Sequence, residues 1–91
     1  MTTDPKHISD RLLELLGNIA PDIEPSSVDP NRDLRDQFDF DSMDSLHLAT
    51  AIGAEFAIDI PERDYTQLSG LRKACAYVQK RLAAKAPTRA T

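Results

Sequence analysis

The sequence predicts an all-α domain, a small four-helix bundle with three main helices and a short third helix. Apolar residues recur at three- and four-residue spacing in separate stretches, no stretch alternates as a strand does, and prolines and glycines separate the stretches. A chain of 91 residues has room for one modest core and no deep catalytic cleft. We therefore expect one domain over residues 1–86, a disordered tail over residues 87–91 and no enzyme activity.

The first helix is predicted to begin at Asp4 and Pro5, because an aspartate caps free backbone amides and proline fits the first helical turn. It should run for about 15 residues on one apolar face, formed by Ile8, Leu12, Leu15 or Leu16, and Ile19. Three prolines then forbid regular structure through about residue 33 and predict a long loop toward residue 40. Its apolar anchors are Ile23, Val28, Leu34, Phe38 and Phe40.

The second helix should begin at Asp41 or Ser42, with Asp41 as its cap and Asp44 near its positive end. Gly53 inside it costs about 1 kcal/mol relative to alanine, so either another helix approaches closely or the helix is locally soft. Pro61 can open a short third helix through about Leu68. Ser69 and Gly70 then cap a fourth helix, which Pro87 stops, and its apolar stripe is Leu71, Cys75, Val78 and Leu82.

Charge is unevenly distributed along a chain whose net charge is −4. Residues 33–64 hold nine acids and two bases, whereas residues 65–91 hold six bases and no acid. An acidic centre repels phosphates, which favours basic protein partners over nucleic acid. The single cysteine excludes an internal disulfide and favours the reducing cytosol. We also expect no membrane span and no signal peptide, because no apolar stretch approaches about 20 residues and the N-terminus lacks basic and apolar regions.

Ser42 is the strongest candidate for chemistry, although a serine at a helix start is also ordinary capping. A hydroxyl there faces backbone amides without internal partners, where a phosphate ester is electrostatically favoured. The acids of residues 39–44 invite a calcium-loop interpretation, but the turn glycine would be Asp44 and the closing glutamate Thr50, so no metal site is expected. Cys75 lies on the inward stripe and is interpreted as a core residue.

Beyond Ser42, a wider set of residues resembles the acyl carrier protein family. In that family an Asp-Ser-Leu motif opens the second helix, a phenylalanine follows 14 residues after the serine, and an Ile-Pro pair follows at 18 and 19. Phe56, Ile60 and Pro61 stand at those offsets from Ser42. The other residues that carry the resemblance are Leu34, Phe38, Asp41, Met43, Asp44, Leu48, Ile52, Ile58, Asp59, Leu68, Leu71, Tyr77 and Val78. The resemblance extends from the first helix to Val78. Ser45, in a second Asp-Ser-Leu, would place Phe56 and Pro61 three residues too close.

The resemblance implies that a phosphopantetheinyl transferase attaches 4′-phosphopantetheine covalently to Ser42. The arm would carry acyl intermediates as thioesters to the acyl-loading and acyl-processing enzymes of a fatty-acid or polyketide-like pathway. Asp41 would flank the site, and we expect a cytoplasmic monomer. The residues implied to meet partner enzymes are Asp39, Met43, Asp44, Leu46, His47 and Thr50.

Departures from the family pattern keep the partner set open. Met43 replaces the usual leucine, His47 stands where a glutamate is common, and Gly53 and Ala54 stand where acids are common. Met43 and Leu46 also fit plain core packing. Two alternatives therefore stand beside the acyl carrier: a peptidyl or aminoacyl carrier, and an unmodified helical adaptor that binds basic proteins through its acidic surface.

Overall fold

The computed structural model describes residues 4–85, and that part of the chain is helical throughout apart from its connections. Its α-helices are α1 (Pro5–Ile19), α2 (Leu34–Gln37), α3 (Ser42–Phe56) and α4 (Leu71–Lys85). Two 3-10 helices span Pro25–Ser27 and Glu62–Leu68. This confirms the predicted all-α bundle, in which the expected second helix is α3. The expected stop at Pro87 and the tail over 87–91 lie outside the described residues.

The core forms where α1 packs against both α3 and α4. Ile8 of α1, Ile52 of α3 and Val78 of α4 have no accessible surface at all. Around them lie the other buried apolar residues of these helices: Leu12, Leu16, Leu48, Ala49, Phe56, Leu71, Ala74, Tyr77 and Leu82. Removing this apolar surface from water is what holds three separate amphipathic helices together.

An ion pair joins α1 to α3 at the surface. Arg11 Nε donates to Glu55 Oε2 at 2.8 Å, and Arg11 Nη2 lies 2.8 Å from Glu55 Oε1. Arg11 also pairs with Glu14, one turn further along α1. The hydrogen bond from Arg11 lowers the pKa of the Glu55 carboxyl below its ordinary value. The two-point contact fixes the orientation of α3 relative to α1 more than a single charge contact would.

The connection between α1 and α3 is more ordered than its prolines predict. The expectation of a loop without regular structure is wrong at the 3-10 turn Pro25–Ser27 and at α2. The Gln37 side chain organises this connection: its Oε1 accepts from Asp29 N at 2.7 Å, and its Nε2 donates to the carbonyls of Asp29 and Arg32 at 2.8 and 2.9 Å. The predicted apolar anchors are buried or half-buried: Ile23, Val28, Leu34, Phe38 and Phe40.

A backbone junction fastens this connection to the start of α4. Leu34 N donates to Ser69 O at 2.7 Å, and Arg72 N donates to Pro30 O at 3.1 Å. Asp33 and Gly70 form an isolated antiparallel bridge. A Cβ on Gly70 would lie only 3.1 Å from the carbonyl oxygen of Arg32, so glycine permits the two backbones to approach.

Helix α3 begins at Ser42 because Asp41 and Asp44 form a reciprocal capping box. Asp41 Oδ1 accepts from Asp44 N at 2.9 Å, and Asp44 Oδ2 accepts from Asp41 N at 3.3 Å. The helix ends at Phe56, and the next residue, Ala57, caps it with a left-handed φ of 55°. Beyond it the chain folds back, and a Cβ on Gly53 would lie 3.1 Å from Ile58 O. The close neighbour of Gly53 is thus this returning chain rather than another helix.

The predicted short third helix is a 3-10 helix that follows Pro61, and α4 holds it through Tyr77. The Tyr77 hydroxyl donates to Asp64 Oδ2 at 2.7 Å. The Arg81 guanidinium lies 5.8 Å from the Tyr77 ring centroid, and its Nη2 donates to Asp59 O at 2.6 Å. On the apolar stripe of α4, Leu71, Val78 and Leu82 are buried as predicted.

Replacing Asp41 with alanine should cost about 1 kcal/mol of the free energy of unfolding, because α3 loses its side-chain cap. Asparagine at the same position caps nearly as well without the charge, so Asp41→Asn should retain most of the stability. Urea denaturation of both variants measures this. Asp39→Ala is the control, since Asp39 is exposed and makes no hydrogen bond within residues 4–85. Equal losses for Asp41→Ala and Asp39→Ala would contradict the capping role.

Tyr77→Phe should also cost about 1 kcal/mol, because it removes the hydrogen bond to Asp64. Burial, and then this hydrogen bond, raise the pKa of the Tyr77 hydroxyl above its ordinary value of 10.0. The fold therefore favours the neutral hydroxyl, so the stabilisation is complete below pH 10 and is lost as the pH rises further.

Urea denaturation between pH 8 and 11 should show this loss in the wild type and a flatter profile in Tyr77→Phe. Tyr65→Phe is the matched control, because the half-buried Tyr65 hydroxyl makes no hydrogen bond in the described part of the chain. An identical pH profile in wild type and Tyr77→Phe would refute the assignment.

Candidate functional site

Ser42 is the first residue of α3, and its side chain is exposed. The capping box occupies the amides of Asp41 and Asp44 but leaves the hydroxyl of Ser42 accessible. Ser45, the competing serine, is only partly exposed, and it lies one turn inside the helix, where its amide donates to Asp41 O at 3.0 Å. The geometry thus presents Ser42, rather than Ser45, at the end of the helix.

Three predicted acids surround this helix start. Asp39 and Asp41 are exposed, and Asp44 is half-buried within the capping box. Asp41 and Asp44 each accept a hydrogen bond from a backbone amide. Carboxylates are stabilised at this end of a helix, because the helix dipole is positive there. The structure therefore brings the predicted acids together beside Ser42, where they form a negatively charged surface.

Met43 and Leu46 lie outside the core, with 58% and 43% of their surfaces exposed. Core packing, the alternative explanation for these two residues, is therefore wrong. His47 and Thr50 are exposed on the same side of α3, and the Thr50 hydroxyl donates to Leu46 O at 3.0 Å. We call these four residues, Met43, Leu46, His47 and Thr50, the outer face of α3. Large apolar side chains next to charged ones are typical of a protein interaction surface.

The opposite side of α3 packs into the bundle. Leu48, Ile52 and Phe56 are buried there, and Leu68 packs in the same core. Ile60 is only partly buried and lies against this core. One helix therefore supplies the apolar centre of the fold on one side and an accessible surface on the other.

An open groove of about 650 Å³ begins at Ser42 and is walled by the starts of α3 and α4, by α2 and by the 3-10 helix Glu62–Leu68. Sequence reasoning missed this groove and two cations that line it. Arg35 lies in a segment that was expected to be loop, and Lys73 belongs to the basic last third of the chain. An exposed hydroxyl with open space beside it fits a long, flexible group esterified to Ser42.

Cys75 lies at the edge of the core rather than within it. Its side chain is half-buried and its Sγ lies 3.5 Å from Pro5 O. Burial raises the pKa of this thiol above its ordinary value, which lowers its reactivity. Within residues 4–85, no three potential ligands among His, Cys, Asp and Glu side chains are grouped to hold a metal ion. No helix in that range is both long and apolar enough to cross a membrane.

Comparison with known proteins places this geometry in a family. The family model described as "Phosphopantetheine attachment site" matches residues 10–78, more than half of the chain. The acyl carrier protein of Streptomyces coelicolor is 28% identical over 85 residues, covering 93% of this chain and 92% of that protein. The acyl carrier protein of Thermobifida fusca is 29% identical over 80 residues, covering 88% of this chain and 100% of that protein.

A third relative is the meromycolate extension acyl carrier protein of Mycolicibacterium aurum, which is 29% identical over 80 residues, covering 88% of this chain and 81% of that protein. The matched family consists of carriers rather than catalysts, and its cofactor is 4′-phosphopantetheine. Since the match spans α3 and most of the core around it, the chain belongs to the phosphopantetheine-binding family of acyl carrier proteins.

Proposed function

We propose that Ser42 is the attachment residue for 4′-phosphopantetheine and that the chain delivers acyl groups to the enzymes of a fatty-acid or polyketide-like pathway. The observation that carries this proposal is the exposed hydroxyl of Ser42 at the first position of α3, with an open groove beside it. The terminal thiol of the bound arm supplies the chemistry, because it carries acyl groups as thioesters.

The residues around Ser42 support this role in three ways. The start of α3 places a partial positive charge next to the hydroxyl, which favours the phosphodiester of a modified serine. The capping box of Asp41 and Asp44 holds the end of the helix in one conformation, so a transferase meets a fixed site. Exposure of the side chain gives the transferase direct access to the oxygen that it modifies.

The outer face of α3 is the surface that we assign to the transferase and to the acyl-loading and acyl-processing enzymes. Met43 and Leu46 offer apolar contact area, and Asp39, Asp41 and Asp44 offer negative charge to a basic partner surface. His47 and Thr50 extend this face, and His47 stands in place of the glutamate that is common there, so we expect specialised partners. We also propose that the chain is a monomer in the cytoplasm, where its single cysteine would stay reduced.

The attachment residue can be tested by intact mass after incubation with coenzyme A, magnesium and a broad-specificity phosphopantetheinyl transferase. Wild type and Ser45→Ala should both gain the mass of one phosphopantetheine group, whereas Ser42→Ala should gain none. Circular dichroism of Ser42→Ala should still show a folded bundle, which ensures that the missing adduct reflects the missing hydroxyl. An unmodified wild type, under conditions that modify a control carrier protein, would instead favour the unmodified helical adaptor.

Met43→Ala and Leu46→Ala should each raise the KM of the transferase reaction about fivefold, the equivalent of about 1 kcal/mol of docking free energy. Their thermal stability should hardly change, because both side chains are largely exposed. Ile52→Val provides the opposite control: at a fully buried position it should cost about 1 kcal/mol of stability and leave KM unchanged. Unchanged KM values in both surface variants would exclude this face as the docking site.

A further inference from the structure

The groove beside Ser42 has two cations in its walls. Arg35 makes no hydrogen bond and no ion pair within residues 4–85. Lys73 Nζ lies 3.6 Å from Asp33 Oδ1, and 61% of its side chain remains exposed. Asp33 also accepts from Ser69 Oγ at 3.4 Å, so its carboxylate is shared between two donors. Both cations are therefore available to an anion that enters the groove.

Specific contacts place these cations in the walls of the groove beside Ser42. The backbone bond from Leu34 N to Ser69 O fixes the short helix α2, which carries Arg35, against the start of α4. Lys73 lies in the first turn of α4, where the helix dipole disfavours a positive charge. The ion pair with Asp33 offsets part of this cost, and an anion in the adjacent groove would offset more of it.

The charges around Ser42 are divided between its two sides. Asp39, Asp41 and Asp44 do not line the groove, whereas Met43 and Leu46 of the outer face of α3 do. The three acids make the surface outside the groove negative. Within the groove two acids, Asp33 and Glu62, balance the two cations. A phosphodiester on Ser42 adds one negative charge, which the three acids repel and the cations of the groove attract.

Resting on Ser42 as the attachment residue, we propose that Arg35 and Lys73 bind the phosphodiester of the phosphopantetheine arm and hold its first part in the groove. They are positioning residues: they act on the arm's anchor and not on the thioester. The arm accordingly leaves Ser42 toward the 3-10 helix Glu62–Leu68, away from Asp39, Asp41 and Asp44.

The test compares unmodified and modified forms of the wild type, Arg35→Gln, Lys73→Gln and the double variant. The quantity measured is the Tm of the modified form minus the Tm of the unmodified form. Each variant's own effect on folding, including the loss of the Lys73–Asp33 pair, cancels in this difference. Arg63→Gln and Lys80→Gln are matched controls, because both residues are exposed and neither lines this groove.

At low ionic strength the difference in Tm should be about 2 to 4 °C smaller in the double variant than in the wild type. About 1 M salt should remove most of that contrast. In the wild type, an isotopically labelled arm should show heteronuclear NOE values of a restrained group near the phosphate, and the double variant should lower them. Equal changes in the double variant and in the controls would overturn the proposal, because they would reflect net charge alone.

Intact mass separates the two possible failures. In one outcome, the wild type takes up the arm on Ser42 while Arg35→Gln and Lys73→Gln leave both the Tm difference and the arm's NOE values unchanged. That result would refute the proposed role of the two cations and leave Ser42 as the attachment residue. If the wild type takes up no arm, both the proposed attachment residue and the inference about the two cations are refuted.

Discussion

The backbone junction between residues 30–34 and the start of α4 is the constraint on which the arrangement around Ser42 depends. Its hydrogen bonds join segments that are far apart in sequence, through Leu34 to Ser69 and Arg72 to Pro30. Gly70 permits their close approach, since a side chain would meet the carbonyl of Arg32. Without this junction the long connection would lose its attachment to α4, and the groove would lose the wall that α2 provides.

The two sides of α3 meet different physical demands. The inner side contributes Leu48, Ile52 and Phe56 to a core in which no buried side-chain polar atom of the described residues lacks a partner. The outer side leaves Met43 and Leu46 largely exposed, as two adjacent apolar side chains beside the start of the helix. Burial thus fixes the helix, and the capping box fixes its end, while the accessible side stays available to partners.

The helix boundaries that depend on local chemistry were predictable from the sequence. Asp4 and Asp41 cap the helices that follow them, so both helix starts could be read from the sequence. Ser42 could be identified by its fixed spacing from later residues. Helix α2 was not predictable, because it depends on Gln37 reaching the backbone of Asp29 and on the distant Ser69 carbonyl. The groove was missed for the same reason: its cations, Arg35 and Lys73, come together only through tertiary contacts.

The half-buried position of Cys75 has a consequence for any chain that carries thioesters. A second thiol on a carrier can capture the cargo by thiol exchange, and the attacking species in that exchange is the thiolate. A free cysteine is a few per cent thiolate at neutral pH, and the raised pKa of Cys75 lowers that fraction further. The contact of its sulfur with Pro5 O also keeps the group against α1. Partial burial of this side chain therefore disfavours acyl transfer onto Cys75 in the proposed thioester-carrying form.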